Sequence, residues 1–467
     1  MSARPAPPRR TAGARLRRAA AAALTAAALL GATAAARAET LTDALIAAFN
    51  NSNLLDQNRA LLRAADEDVA QAIAALRPVL EWAAAAGYAQ PRPLGDNYTA
   101  SLSLSAQITI YDFGRTPLAI EAARESVLAA RSALLGIEQN VLLTAVQAYM
   151  EVIRAAQFVD LRRSNVRVIT SELRAARERF QVGEVTRTDV SIAEARLAAA
   201  SSALVAAEGD YNVAREAYNA AIGHYPKNLV RPVVPPMTAE TIDQARAIAV
   251  KNHPLIHQRQ REVTVAELNI ARARANLRPT ITGSAGVSQN QDRMNSGSIS
   301  LGMSQTIYAG GGLSSALRQA IALSEGDRAE LLQAVVTVEQ NVANAWSALK
   351  VAIASTAASQ RQVSASLVAY NGTREEATLG ARTTLDVLNA EQELLDARAA
   401  LIQAEIQQFV AVYSLLATMG LLTVEHLNLG IVTYDPEAYY NAVDNAPLRH
   451  VSPQGEKLDR VLKSLGK

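Results

Sequence analysis

Residues 182–189 read VGEVTRTD, and residues 379–386 read LGARTTLD. Gly183 aligns with Gly380 and Asp189 with Asp386, a shift of 197. The shift persists downstream: Val190, Ala193, Leu197, Ala200, Leu204, Ala207, Ala214 and Tyr218 map onto Val387, Ala390, Leu394, Ala397, Leu401, Ala404, Ala411 and Leu415. Upstream, Arg77-Pro78 maps onto Arg278-Pro279 with a shift of 201. A repeat of about two hundred residues is far longer than a solenoid unit, so it marks a duplicated half-molecule.

Each half predicts the same order: short helix, helix, strand, strand, very long helix, tight turn, long helix. The first repeat spans 39–223, with strands near 80–90 and 98–111 and a tip at 182–189. Pro226, Pro232, Pro235 and Pro236 mark a linker over 224–239. The second repeat spans 240–420, with strands near 279–289 and 297–308 and a tip at 379–386. Residues 421–467 form a tail, weakly amphipathic at Leu458, Val461, Leu462 and Leu465.

The strands have the sharpest local pattern. Tyr98, Ala100, Leu102, Leu104, Ala106, Ile108 and Ile110 alternate with Thr99, Ser101, Ser103, Ser105, Gln107 and Thr109. Ile299, Leu301, Met303 and Ile307 alternate with Ser298, Ser300, Gly302, Ser304 and Thr306. Weaker partners precede each: Trp82, Ala84, Ala86 and Tyr88, then Ile281, Ala285 and Val287. Hairpin tips fall at Pro91–Asn97 and Asn290–Asn295. Period two identifies strands. A half-buried sheet of a soluble protein would carry Lys and Glu on its wet face. Here that face is Ser, Thr and Gln, the strands are long enough to cross a bilayer, and Trp82, Tyr88, Tyr98, Tyr111 and Tyr308 sit near strand ends. The pattern favours a transmembrane barrel.

From Arg115 to Val182 only Pro117 and Gly136 interrupt a helical pattern. A helix that long spans roughly 100 Å. Val152, Val159, Val166, Leu173 and Phe180 fall seven apart, a coiled-coil seam. On the return helix Val190, Leu197 and Leu204 alternate with Ala193, Ala200 and Ala207, so antiparallel helices can approach closely. The second half repeats the device.

The first 38 residues read as a secretory signal. Arg4, Arg9, Arg10, Arg15, Arg17 and Arg18 precede an apolar run from Ala19 to Ala36, and Ala36-Arg37-Ala38 is a small-x-small cleavage site. Arg9-Arg10 hints at the twin-arginine route, but its flanks do not fit it. The mature chain is expected to start at Glu39; N-terminal sequencing checks this. Residues 1–38 hold seven Arg and no acid, and the remaining 39 bases face 44 acids, a net of −5. No basic stripe with aromatics remains, which argues against nucleic acid as a partner. With no cysteine there is no disulfide framework and no lipid-anchoring Cys at the mature start. No later run of 18 apolar residues is present, so no transmembrane helix is expected.

A sheet in lipid cannot keep open edges, because each unpaired backbone group there costs several kcal/mol. Four strands per chain are too few to close a barrel, so several chains must contribute. Two would give eight strands and a filled interior; three would give twelve and a lumen.

The duplicated turn and the stretch LGARTTLDVLNAEQELLDA, 379–397, are similar to the TolC family of outer-membrane factors, over about 40–435. The resemblance implies an α+β membrane protein. It would be a homotrimer with a twelve-stranded β-barrel in outer-membrane lipid, continued by a long α-helical barrel in the periplasm. It also implies an exit duct for type I protein secretion or multidrug efflux. The partners would be a periplasmic adaptor (membrane fusion) protein and an inner-membrane pump of the ABC or RND type. The tips, Val182, Gly183, Glu184 and Leu379, Gly380, Ala381, would dock the adaptor. Asp386 matches an acid of the family's constriction, and Asn389 stands where a second acid is usual, so the negative ring should be weaker. Arg382 matches a basic residue that latches the closed state onto the next chain, where Thr188 and Asp189 match its partners. Ala377 replaces a Tyr that often supports closure.

Elsewhere the chain offers little chemistry. His253 and His257 have a metal-ligand spacing, but Pro254 marks a helix start there and no third ligand is near in sequence. Ala309 to Gly312 lacks the Lys-Ser/Thr of a phosphate loop and occupies a strand-to-helix junction. No catalytic triad or zincin motif is present, so neither an enzyme nor a cofactor is expected. A structural or adhesive coiled-coil surface protein would account for the heptads but not for the strands or the duplication.

Overall fold

The computed structural model describes residues 38–89, 97–232, 236, 238–446, 460 and 463–464. The signal segment up to Arg37, the first hairpin tip at 91–96 and the amphipathic positions Leu458, Val461, Leu462 and Leu465 lie outside them. Each half follows the expected order. The first contains α1 (Leu41–Asn51), α2 (Asn53–Ala74), β1 (Val79–Ala89), β2 (Asn97–Tyr111), α3 (Arg115–Gln181) and α4 (Arg187–Ile222). The second contains α5 (Ile242–Asn252), α6 (Pro254–Ala275), β3 (Thr280–Asn290), β4 (Asn295–Ser304), α7 (Gly312–Thr378) and α8 (Thr384–Thr418). A short α9 (Pro436–Val443) lies in the tail.

The strands form one antiparallel sheet in chain order, leaving β1 and β4 as open edges. The register keeps the two faces separate. Trp82 pairs with Leu104 and Leu104 with Val287; Ser105 pairs with Gly286 and Gly286 with Ser298. The apolar face is exposed in one chain, with Trp82 at 71% and Ile299 at 90%. Tyr88 meets Tyr98 with tilted rings 5.0 Å apart at the far end, and Tyr111 meets Phe113 edge to face at 4.7 Å at the helix end. β4 ends at Ser304, short of the expected 308. Ser304 pairs with Thr280, the first residue of β3, so nothing remains for Gln305–Tyr308 to pair with. Ile307 and Tyr308 therefore fall outside the strand.

The strand-to-helix junctions turn on glycine. Gly114 and Gly311 cap α3 and α7 with φ of 89° and 85°. Both long helices run 67 residues, about 100 Å. The heptad seam is buried at Val152, Val159 and Leu173 and opens at Phe180 near the tip. In the return helices Ala193 and Ala397 are wholly buried, as the close approach of α3 with α4 and of α7 with α8 requires. By mean hydropathy α4 and α8 could each cross a bilayer, which counting uninterrupted apolar runs did not register. Alanine supplies much of that hydropathy, and each helix lies along its long partner.

The main core sits midway along the long helices. Leu142, Val146, Tyr149 and Met150 of α3 meet Leu45 and Ala48 of α1, Tyr218 and Ile222 of α4, Val342 of α7, and Leu415 and Leu416 of α8. The linker joins this core. Glu39 bridges to Leu229, and its buried carboxylate accepts a 2.6 Å bond from the Tyr218 hydroxyl. Burial and the Glu39 carboxylate both push the Tyr218 phenol upward.

The tail straps α2 and α3. Val424 N donates to Glu138 Oε1 at 2.8 Å, Tyr439 donates to Glu67 at 2.8 Å, and Arg77 donates to the carbonyls of Asn445 and Ala446. Beneath the strap Asp66 is wholly buried, and both its oxygens lack a hydrogen-bond partner among the described residues. Burial pushes its pKa up to about 6, with Arg131 opposing. A carboxylate whose folded pKa is raised favours the folded state below its unfolded pKa, near 4, and loses that contribution as pH rises to 6. Above pH 6 the penalty is about 3 kcal/mol. Asp66→Asn is therefore expected to stabilise the protein by about 1–3 kcal/mol at pH 7.5 and to change little at pH 4. Unfolding in detergent at the two pH values checks it; an equal effect at both would show that Asp66 titrates normally.

Candidate functional site

The two hairpin tips share one construction. α3 ends at Gln181, and Gly183 turns the chain at φ 82°, with Glu184 N donating to Arg179 O at 2.9 Å. α7 ends at Thr378, and Gly380 turns it at φ 81°, with Ala381 N donating to Glu376 O at 2.9 Å. This pattern satisfies the last helical carbonyls and needs a left-handed residue, which glycine supplies without strain. Val182 and Leu379 are 71% and 85% exposed, and Gly183, Glu184, Gly380 and Ala381 are exposed beside them. The tips thus present an apolar side chain on each rigid turn.

Each return helix opens with a capping box. Thr186 accepts from Asp189 N, while Asp189 Oδ2 accepts from Thr186 N at 2.9 Å and from its hydroxyl at 2.7 Å. Thr383 and Asp386 repeat this at 2.9 and 2.8 Å. These bonds hold both carboxyls below the usual range: for Asp189 chiefly the Thr186 hydroxyl, for Asp386 chiefly the Thr383 backbone N–H. Both acids stay charged well into acid, and one oxygen of each remains outside the cap. The T-x-x-D spacing at 186–189 and 383–386 was legible in the sequence as a capping signal. Sequence reasoning singled out the acids and missed Thr186 and Thr383.

The remaining expected residues have other neighbours in the single chain. Arg382 Nε donates to Glu376 Oε2 of its own hairpin at 2.9 Å, away from Thr188 and Asp189. Asn389 Oδ1 accepts from Arg196 of α4 at 3.2 Å. That bond is one of several joining the two hairpins above the tips. Asn165 of α3 donates to the buried Glu391 of α8 at 3.3 Å, and Arg374 of α7 lies 3.7 Å from Glu172 of α3. Leu388 of α8 packs among Leu173, Ala176, Val190 and Ala193 of the first hairpin. Burial pushes Glu391 upward, more than Asn165 offsets. These pairs are far apart in sequence, and no local motif announces them.

His253 is the N-cap of α6, its Nδ1 accepting from Leu255 N at 3.2 Å, and burial lowers its pKa. No group of three or more His, Asp or Glu with metal-site geometry is found among the described residues.

The family model of the outer membrane efflux protein matches residues 44–224 and 246–421, two blocks that coincide with the two halves. Outer membrane efflux protein BepC of Brucella suis biovar 1 (strain 1330) is 35% identical over 428 residues, covering 90% of this chain and 94% of BepC. Among solved structures, the outer membrane protein VceC of Vibrio cholerae superposes with a TM-score of 0.70 at 21% identity, covering 81% of this chain and 96% of VceC. The CmeC outer membrane channel of Campylobacter jejuni superposes with a TM-score of 0.73 at 15% identity, covering 87% of this chain and 89% of CmeC. Two matched halves, a relative similar over nearly its whole length and the shared channel fold agree: the chain belongs to the outer membrane efflux protein family and resides in the outer membrane with its helical part in the periplasm.

Proposed function

We propose that three copies of this chain form a passive exit duct for type I protein secretion, multidrug efflux or both. A periplasmic adaptor docks on the hairpin tips, and an inner-membrane pump of ABC or RND type delivers the cargo. The observation that carries this reading is the covalent continuity of a two-faced sheet, open at both edges, with helical hairpins about 100 Å long. In lipid, β4 of one copy must pair with β1 of the next. Twelve strands leave a lumen, whereas eight would be filled by side chains. Conductance of the purified protein in a planar bilayer, with its mass measured by native mass spectrometry, tests the reading. A stable monomer, or a protein that never conducts, would sink it.

Asp386 is assigned the constriction. Its cap uses Oδ2, and on a three-fold axis the other oxygens form a ring of negative charge. Asn389 adds no charge, and its amide oxygen is held by Arg196. Asp386→Asn is expected to lower the preference for cations, most clearly in dilute salt, where screening is weak. Unchanged reversal potentials would remove Asp386 from the lumen.

A further inference from the structure

Among the residues of the four strands Glu81 is the single Asp, Glu, Lys, Arg or His. Its place follows from the register. Glu81 pairs with Ser105, Ser105 with Gly286 and Gly286 with Ser298, so it shares a row with the polar face of the sheet. The adjoining row on that face is Ala83, Ser103, Ser288 and Ser296. Its chain neighbours Leu80 and Trp82 point to the other face, with Leu104 and Ile299. A carboxylate in the membrane-spanning part of a barrel is tolerated facing water and is costly facing lipid. The apolar face is therefore the lipid face, and Glu81 faces the lumen.

We propose that Glu81, repeated around the barrel, is a second charge-selecting ring that favours cationic over anionic solutes independently of the tips. The inference rests on the trimeric duct described above. The serines and the glycine of its row are too short to cover the carboxylate, and Glu81 has no ion-pair partner among the described residues. No Lys or Arg in the strands offsets it. The bases at the strand ends nearest the helices keep their charge but lie about 13 Å or more along the strand from the Glu81 row, and their guanidinium groups are turned to backbone carbonyls. Arg77 donates to the carbonyls of Asn445 and Ala446, and Arg115 to those of Ala275 and Arg278. Arg278 precedes Gly286, in the Glu81 row, by eight residues, about 26 Å along the strand. That exceeds the Debye length of about 8 Å at physiological salt.

The test is the reversal potential under a KCl gradient for wild type, Glu81→Gln, Asp386→Asn and the double variant. The cation-to-anion permeability ratio is expected to fall about twofold in Glu81→Gln, and again when Glu81→Gln is added to Asp386→Asn. Because the chain has no cysteine, Glu81→Cys can be labelled alone. An anionic thiosulfonate should restore the cation preference and a cationic one reverse it, while Trp82→Cys, on the lipid face, should respond to neither. A wild-type protein that fails to conduct overturns the duct reading itself. A conducting channel whose selectivity is unmoved by Glu81→Gln, or by either label at position 81, overturns only the role of Glu81.

Discussion

Gly420→Ala is expected to destabilise the folded chain by about 2–5 kcal/mol, the sum of a left-handed backbone penalty and an overpacking penalty. Gly420 lies just past α8 with φ 77°. An added Cβ would stand 2.8 Å from Asn252 O and 2.8 Å from His253 Cα, both backbone atoms at the α5–α6 junction. Backbone there cannot retreat without dragging two helices out of the main core. Gly380 supplies the control. Its φ is 81°, but an added Cβ meets nothing within 4 Å, so Gly380→Ala should cost only the backbone penalty of about 1–2 kcal/mol. Unfolding of both variants in detergent decides it. Equal losses would mean that the α8 end does not press on α5 and α6 as described.

Arg382→Ser is expected to shift the channel toward its open state severalfold. We propose that in the closed trimer Arg382 reaches Thr188 and Asp189 of the neighbouring copy. Each exposed ion pair is individually weak, but three symmetric copies act on one gate and together bias it severalfold. Within one chain Arg382 is held by Glu376 at 2.9 Å, an internal competitor for the latch. Glu376→Gln should release Arg382 and shift the gate the opposite way, toward closure. Single-channel recordings of both variants beside wild type, in the same salt, make the comparison. If Arg382→Ser conducts like wild type, the closed state is held elsewhere; the inter-hairpin pairs Asn165–Glu391 and Arg374–Glu172 are then the next place to look.

Much of the architecture was legible because its causes are local. Alternation at every second residue gives a strand its two faces, and the register of β1 through β4 follows the alternation read at Leu102, Leu104, Ile299 and Leu301. Glycine followed by a T-x-x-D step stops one helix and starts the next within about eight residues, between Gln181 and Arg187 and between Thr378 and Thr384. The end of β4 was not legible, because a strand extends only as far as its partner, and the start of β3 is set by Pro279.

The sequence by itself determined the duplication, the two-faced strands, the long helices and the turns between them, since each rests on contacts between residues a few positions apart. Only the tertiary structure decided which side chains those elements bring together. Arg196 meets Asn389 across 193 positions, Asn165 meets Glu391 across 226, and Tyr439 of the tail meets Glu67 across 372. Such pairs depend on how two rods of about 100 Å lie against each other, and a rotation of one rod by a single residue, about 100°, would replace every one of them.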